Sequence, residues 1–295
     1  MAQGTGSLPD FDSKWNYDRP DSTEAAFRAL LPAARDSGNR DYLAQLLTQI
    51  ARAQGLQMRF DEAAKTLDEA ESLLKDDMKV ARARLLLERG RVLNSSKRRE
   101  ESKPFFREAW DLAREARADG FAVDAAHMLG IVEPGEASVE WNRTAIAYAE
   151  KSPDPKARSW LGSLCNNLGW TYHGQGEYET ALDLFRKALA AREAEGKPSP
   201  IRIANWCIAR TLRSLERTQE ALAIQERLLA ELSAEGSTDG YVHEEMAECL
   251  LALGRDAEAK PHFAAAYRAL SRDEWQKRDE PERLERLRRL GGGEE

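Results

Sequence analysis

The chain has 295 residues, 42% of them apolar and 32% charged, a balance that supports a hydrophobic core in one long domain or two ordinary ones. Its formal net charge of -7 argues against nucleic acid as a partner, because neutralising a phosphate backbone takes a basic face that no run of the sequence supplies. No stretch approaches the length of a membrane span and no basic segment leads into an apolar one, so the expected setting is cytoplasmic, without a membrane partner.

From the N-terminus, residues 1–21 read as an arm without regular structure. Its stretch FDSKWNYDRP carries Phe11, Trp15 and Tyr17 with no helical period. The arm either covers the first repeat as an ordered segment or docks within the chain as an occupant of the groove described below. Ser22 to Ala34 read as one helix begun by Asp21, with Glu24 three residues on.

Beyond residue 40 the sequence repeats. Small residues recur at Ala51, Gly90, Gly130, Gly169, Ala209 and Ala247, in steps of 38 to 40 residues. Each is followed at fixed distances by a second short side chain, such as Ala63, Ser102, Ala181 and Ala259, and then by a larger one, such as Leu67, Phe106, Phe185 and Phe263. Apolar residues at helical spacing predict two antiparallel helices per copy. The small residues mark where those helices approach too closely for a larger side chain.

The fourth copy, NNLGWTYHGQGEYETALDLFRKAL, resembles the tetratricopeptide repeat at Leu168, Gly169, Tyr172, Ala181, Phe185 and Ala188, with Cys165 where tryptophan is usual. The resemblance covers roughly residues 40 to 270, at a period about five residues longer than that family's usual 34. The long copies are similar to the repeats of kinesin light chains and of bacterial peptide-pheromone receptors. The resemblance implies an all-α, right-handed α-solenoid of about six helix pairs with a leading N-terminal helix and a C-terminal capping helix. As one domain it runs over 22–290, with pairs at roughly 40–76, 78–118, 120–152, 155–196, 198–236 and 238–271.

Helix punctuation fits this frame. Asp154 and Pro155 begin a helix that Gly174 to Gly176 close, and Pro134-Gly135 end the first helix of the third copy early. Pro104 and Pro261 fall near the starts of two second helices, which they are expected to delay or kink. The last helix, 273–290, contains PERLERLRRL, a basic amphipathic stretch that reads as a polar cap or, in the sharper alternative, as an anchor for membrane or nucleic acid. Residues 291–295 read as a disordered tail.

In such a fold the first helix of each pair lines the concave side, and residues one turn apart share a face. Counting from the small residues gives the candidate peptide-binding groove: Arg52, Arg91, His127, Asn166, Asn167, Trp170, His173, Trp206, Arg210, Arg213, Tyr241 and Glu244. Asparagine amides pair with both polar groups of an extended backbone, arginine grips carboxylates, and indoles give an apolar floor. The competing reading has the indoles filling space between helices and the asparagines satisfying each other. The family's chaperone-tail clamp is not matched, because Asn167 is flanked at the equivalent places by His127, Ile131, Ile203 and Cys207.

Cys165, Cys207 and Cys249 are dispersed without a CxxC pair, which predicts reduced, partly buried thiols. His127, Glu133 and His173 are the one conceivable metal or catalytic set, and no phosphate loop or nucleophile elbow occurs. The expectation is therefore a non-catalytic scaffold or adaptor, without metal or other cofactor, binding a peptide or partner segment that carries acidic and apolar anchors. The alternatives are a ligand-responsive switch and, further off, an enzyme or enzyme subunit using His127 and His173.

Overall fold

A computed structural model describes residues 8–293. The chain forms two compact units, Met1–Trp160 and Leu161–Glu295, where the sequence reads one domain over 22–290. The first unit holds α1 (Pro20–Arg28), α2 (Leu31–Asp36), α3 (Arg40–Leu56), α4 (Phe60–Leu73), α5 (Lys79–Ser95), α6 (Arg99–Glu115), α7 (Asp119–Val132), α8 (Gly135–Lys151) and the short α9 (Pro155–Arg158). The second holds α10 (Leu161–Gly174), α11 (Tyr178–Glu195), α12 (Pro198–Ser214), α13 (Thr218–Ala234), α14 (Gly240–Ala252), α15 (Asp256–Leu270), α16 (Glu274–Asp279) and α17 (Pro281–Leu290). Among the described residues there is no strand.

Successive helices pair as the spacing of small residues requires. A β-carbon added at Gly90 would lie 2.4 Å from the Phe106 ring, and one at Gly169 would lie 2.7 Å from Phe185. Both contacts are far inside van der Waals range, so only glycine lets α5 meet α6 and α10 meet α11 around those rings. At Gly130 the intruding group is the amide of Asn142, at 2.6 Å. Where alanine stands instead, at Ala51, Ala209 and Ala247, it is wholly buried. The fifth pair departs from this pattern, for Gln225 occupies the place that Leu67, Phe106, Phe185 and Phe263 fill elsewhere. It is wholly buried, and neither amide atom has a hydrogen-bond partner among the described residues.

Several boundaries differ from the sequence reading, each for a local reason. The leading helix is two, α1 and α2, because Pro32 has no N–H to return to Arg28 and the chain turns at Ala29–Leu30. It starts at Pro20, and Glu24 caps nothing. Its buried carboxylate instead accepts from Arg28, Gln57 and Arg59 at 2.8, 2.9 and 2.7 Å. Pro104 and Pro261 neither delay nor end α6 and α15. Each lies in the second turn, so one backbone bond is omitted while Phe106 and Phe263 seat the helix in the core. The helix expected from Pro155 to Gly174 is broken at Ser159 and Trp160, where the indole packs on His127 with ring centroids 5.3 Å apart.

The arm is more regular than expected, with one 3-10 turn at Asp12–Lys14. Phe11 is buried against Phe27 and Tyr42. Trp15 meets Phe27 edge-on and donates from Nε1 to Gln49 Oε1 at 3.0 Å. These contacts join the arm to the core of the first helix pair.

Candidate functional site

In the second unit, α10, α12 and α14 bring aromatic side chains from three successive pairs into a row. The Trp170 ring centroid is 5.9 Å from that of Trp206, and Trp206 is 6.1 Å from Tyr241. Trp206 Nε1 donates to the Tyr241 carbonyl at 3.0 Å, which fixes the second indole against the next helix. Trp170 is backed by Phe185 and His173, both at 5.1 Å. The indoles are half-buried, with one side packed and the other open.

Beside this row is a hollow of about 430 Å³, floored by Trp170 and Trp206 and walled by Arg210, Arg213, Glu244 and Glu245. Glu245 was absent from the sequence-derived set. Its carboxylate is 3% exposed and accepts from Arg213 Nε and Nη2 at 2.5 and 3.0 Å, with Arg210 Nε at 3.6 Å. Burial raises the Glu245 pKa above the ordinary carboxylate range, and Arg213 and Arg210 offset that only in part. Arg213 is thus engaged in both its donor positions, while Arg210 makes the longer pair and remains the more available cation.

The cap completes the far wall. Arg283 of α17 donates to Glu244 at 2.9 and 3.1 Å, and Arg286 pairs with Glu248. The basic face that hinted at a membrane or nucleic-acid anchor is therefore occupied, at these two residues, by carboxylates of α14. A second, more apolar hollow of about 520 Å³ adjoins, sharing Trp206 and adding Tyr241, Ile203, Leu232 and Val242. Ile203 is 55% exposed.

His173 sits at the edge of the row, its Nε2 3.1 Å from the Ser214 hydroxyl, which also accepts from Arg210 at 3.2 Å. Burial and the neighbouring Arg210 and Arg213 hold its pKa below the usual histidine value. One turn before Trp170, Asn166 and Asn167 lie amide to amide at 3.4 Å, and the Cys207 thiol reaches Asn166 Oδ1 at 3.5 Å. Burial pushes the Cys207 thiol up to about 12 and Cys249 likewise to about 12, so neither is a ready nucleophile at neutral pH.

The remaining candidates lie in the first unit. Arg52 pairs with buried Glu88 at 3.2 Å and lies over the Trp15 and Tyr17 rings, at 5.7 and 5.5 Å. Arg91 pairs with the same Glu88 at 2.7 Å and with Asp124. Arg84, from α5, holds the arm through Asp12, at 3.1 Å between Nη1 and Oδ2. His127 packs on Trp160, and burial lowers its pKa. Glu133 is paired with Arg107 and Lys103 at 2.5 and 3.4 Å. His127 and Glu133 belong to one unit and His173 to the other. Among the described residues no cluster of three or more His, Cys, Asp or Glu is placed to hold a metal ion, and no helix is long and apolar enough to cross a membrane.

The carboxylates that sequence reasoning missed, Glu88, Asp124 and Glu245, share one signal. Each lies on the first helix of the pair that follows an arginine it serves, Glu88 36 residues after Arg52, Asp124 33 after Arg91 and Glu245 32 after Arg213, so its partner is set by packing between repeats.

Comparison with known proteins bears on the fold. Residues 161–195 match the tetratricopeptide repeat family model. No curated protein matches the chain in sequence. Among solved structures, a signal transduction ATPase with numerous domains and a tetratricopeptide repeat sensor, from Pyrococcus horikoshii, aligns with a TM-score of 0.68 at 15% identity. That alignment covers 94% of this chain but 43% of the ATPase. BtubC from P. vanneervenii aligns at 0.59 and 15% identity, over 78% of this chain and 94% of its own. Aspartyl phosphate phosphatase F from Bacillus subtilis aligns at 0.54 and 19%, over 90% and 76%. The matched repeat is the α10–α11 hairpin, and the likeness to these solved structures shows a shared fold.

Proposed function

We propose that the protein is a non-catalytic interaction scaffold whose second unit holds an extended segment of a partner protein along the row of Trp170, Trp206 and Tyr241. The observation that carries this reading is the row itself, three aromatic side chains from three successive repeats, bordered by two hollows. An apolar side chain of the partner suits the hollow beside Ile203 and Trp206. A partner carboxylate suits Arg210, whose own pairing with Glu245 is the longer one. Asn166 and Asn167 are placed to exchange their mutual contact for bonds to the partner backbone. Such docking typically reaches micromolar affinity, about 8 kcal/mol.

Selection from a random-peptide display library tests the proposal. Enriched sequences are expected to place an aromatic or branched apolar residue near an aspartate or glutamate. Trp206→Ala and Arg210→Ala should each lose that enrichment while keeping the helical circular dichroism of the parent chain. No enrichment, or enrichment indifferent to both substitutions, would reject the site.

A further inference from the structure

The first unit carries a hollow of its own, of about 580 Å³, that takes no part in the row of the second. Four aromatic side chains line it. Trp15 and Tyr17 come stacked from the arm, Phe121 from the first turn of α7 and Trp160 from the chain just after α9. A volume of this order, walled by rings and fitted with a few polar groups, suits a small molecule. The lining mixes carboxylates with cations, Asp12, Glu88 and Asp154 with Arg52, Arg84 and Lys156. An ion of one sign would meet its own charge there, whereas a dipolar molecule finds a partner for each end.

Two of these groups are buried and incompletely bonded. Glu88 is 2% exposed, and Arg52 and Arg91 both donate to its Oε1, at 3.2 and 2.7 Å, so that Oε2 has no partner among the described residues. Arg84 is 6% exposed and turns its Nη atoms to Asp12 and Gln45, which leaves Nε without a partner. A buried acceptor and a buried donor left in this state are costly, and a molecule that bonds both removes the cost. Arg84 and Glu88 stand four residues apart on α5 and so share one face of it. Whatever bonds both must carry its own acceptor and donor side by side. The final torsion of a glutamate is soft, so the carboxylate can tilt toward an incoming donor without leaving its arginines.

An ammonium and a carboxylate borne on one carbon meet that demand, and a ring beyond them meets the aromatic walls. We infer that this hollow is a binding site for a free aromatic α-amino acid, with its ammonium on Glu88, its carboxylate on Arg84 and its ring against Phe121 and Trp160. Lys156, exposed at the same hollow and paired with no carboxylate among the described residues, adds a second cation for the carboxylate end. The edge that carries Lys156 is fixed to α7, because the Gly120 N–H donates to Asp154 Oδ2 at 3.1 Å. The site is independent of the row in the second unit and of what that row holds.

Isothermal titration of the full chain at neutral pH with L-phenylalanine, 2-phenylethylamine and 3-phenylpropionate tests the inference. The amine lacks the carboxylate and the acid lacks the ammonium. The expected result is one saturable site per chain for L-phenylalanine and binding at least about tenfold weaker for each analogue. Glu88→Gln keeps an amide oxygen for Arg52 and Arg91 but can set an N–H donor where the ammonium needs an acceptor, and should weaken L-phenylalanine by a similar factor. The analogues decide the matter on the unaltered chain, whatever that substitution does to folding. Hydrogen exchange with L-phenylalanine present should gain protection in α5 and α7. No saturable binding, equal binding of either analogue, unchanged binding in a folded Glu88→Gln chain, or protection gained in α10–α14 instead would overturn the site.

Discussion

The two units place arginines on equivalent faces of their first helices and put them to opposite uses. In the first unit Arg52 stacks on Trp15 and Tyr17, rings that are themselves stacked at 4.7 Å and come from the arm, while Arg84 secures Asp12 of that arm. In the second unit the indoles belong to the repeat helices, and Arg210 and Arg213 share the one buried carboxylate of Glu245. A column of arginines is therefore not a site in itself. Whether its aromatic company comes from the helices or from a folded-back arm decides if the face is joined to the core or left open.

Paired substitutions of tryptophan press hardest on this contrast. Trp15→Ala removes the ring packed on Phe27 and strips Gln49, which is 3% exposed, of its donor. The expected loss is about 2–3 kcal/mol, confined to the first unit. Trp206→Ala takes away a half-buried ring whose Nε1 bonds a backbone carbonyl, and should cost about 1 kcal/mol in the second unit. Native-state hydrogen exchange resolves the two by region. Losses of equal size, or a loss at Trp15 that spreads evenly through both units, would break the distinction between a structural arm and an open row.

The repeat frame was legible because it is a packing rule. Gly90 and Gly169 must be small where Phe106 and Phe185 press on them, and that constraint repeats in the sequence at the period of the hairpin. The row was legible in part, since counting from the small residues reached Trp170 and Trp206, with Tyr241 adjoining them from the last copy. Pairing was not, because it depends on which residues of neighbouring helices meet. Nothing local to Arg213 announces Glu245, and nothing local to Arg52 announces that Trp15 and Tyr17 will fold back over it. The arm divides its contacts between the core and the helix face that carries Arg52. Phe11 enters the core of the first pair, while Trp15 and Tyr17 lie against Arg52 of the lining.

Gln225 sharpens the comparison from inside the core. In the first unit the equivalent places hold Leu67, Phe106 and Ile146, all apolar, whereas in the second Gln225 is buried with its amide unpartnered among the described residues. Gln225→Leu has nearly the same volume and removes the desolvated amide. The second unit should gain about 1–2 kcal/mol, read as a higher midpoint in urea with an unchanged slope. A loss would mean that the amide contributes a bond that an apolar side chain cannot replace.

The smallest effect is one of slope with pH, and its sign differs between the units. Burial opposes ionisation of Glu24, but Gln57, Arg28 and Arg59 outweigh it, so its folded pKa lies below the ordinary 4.5. Its contribution is fully present above 4.5 and is lost as pH falls through the lowered value. Glu245 runs the other way. Burial outweighs Arg213 and Arg210, aided by the like charge of Glu248, so its folded pKa lies above 4.5. The folded state then binds the proton more tightly than the unfolded one. Its contribution is therefore present below 4.5 and fades as pH rises through the raised value. Thermal midpoints followed from neutral to acidic pH should show Glu24→Gln removing part of an acid-side loss and Glu245→Gln removing part of an acid-side gain. Two variants that shift the profile in the same direction would mean that Glu245 is held ionised by its arginines as firmly as Glu24 is. The open hollow would then be as fully charge-compensated as the arm-covered face.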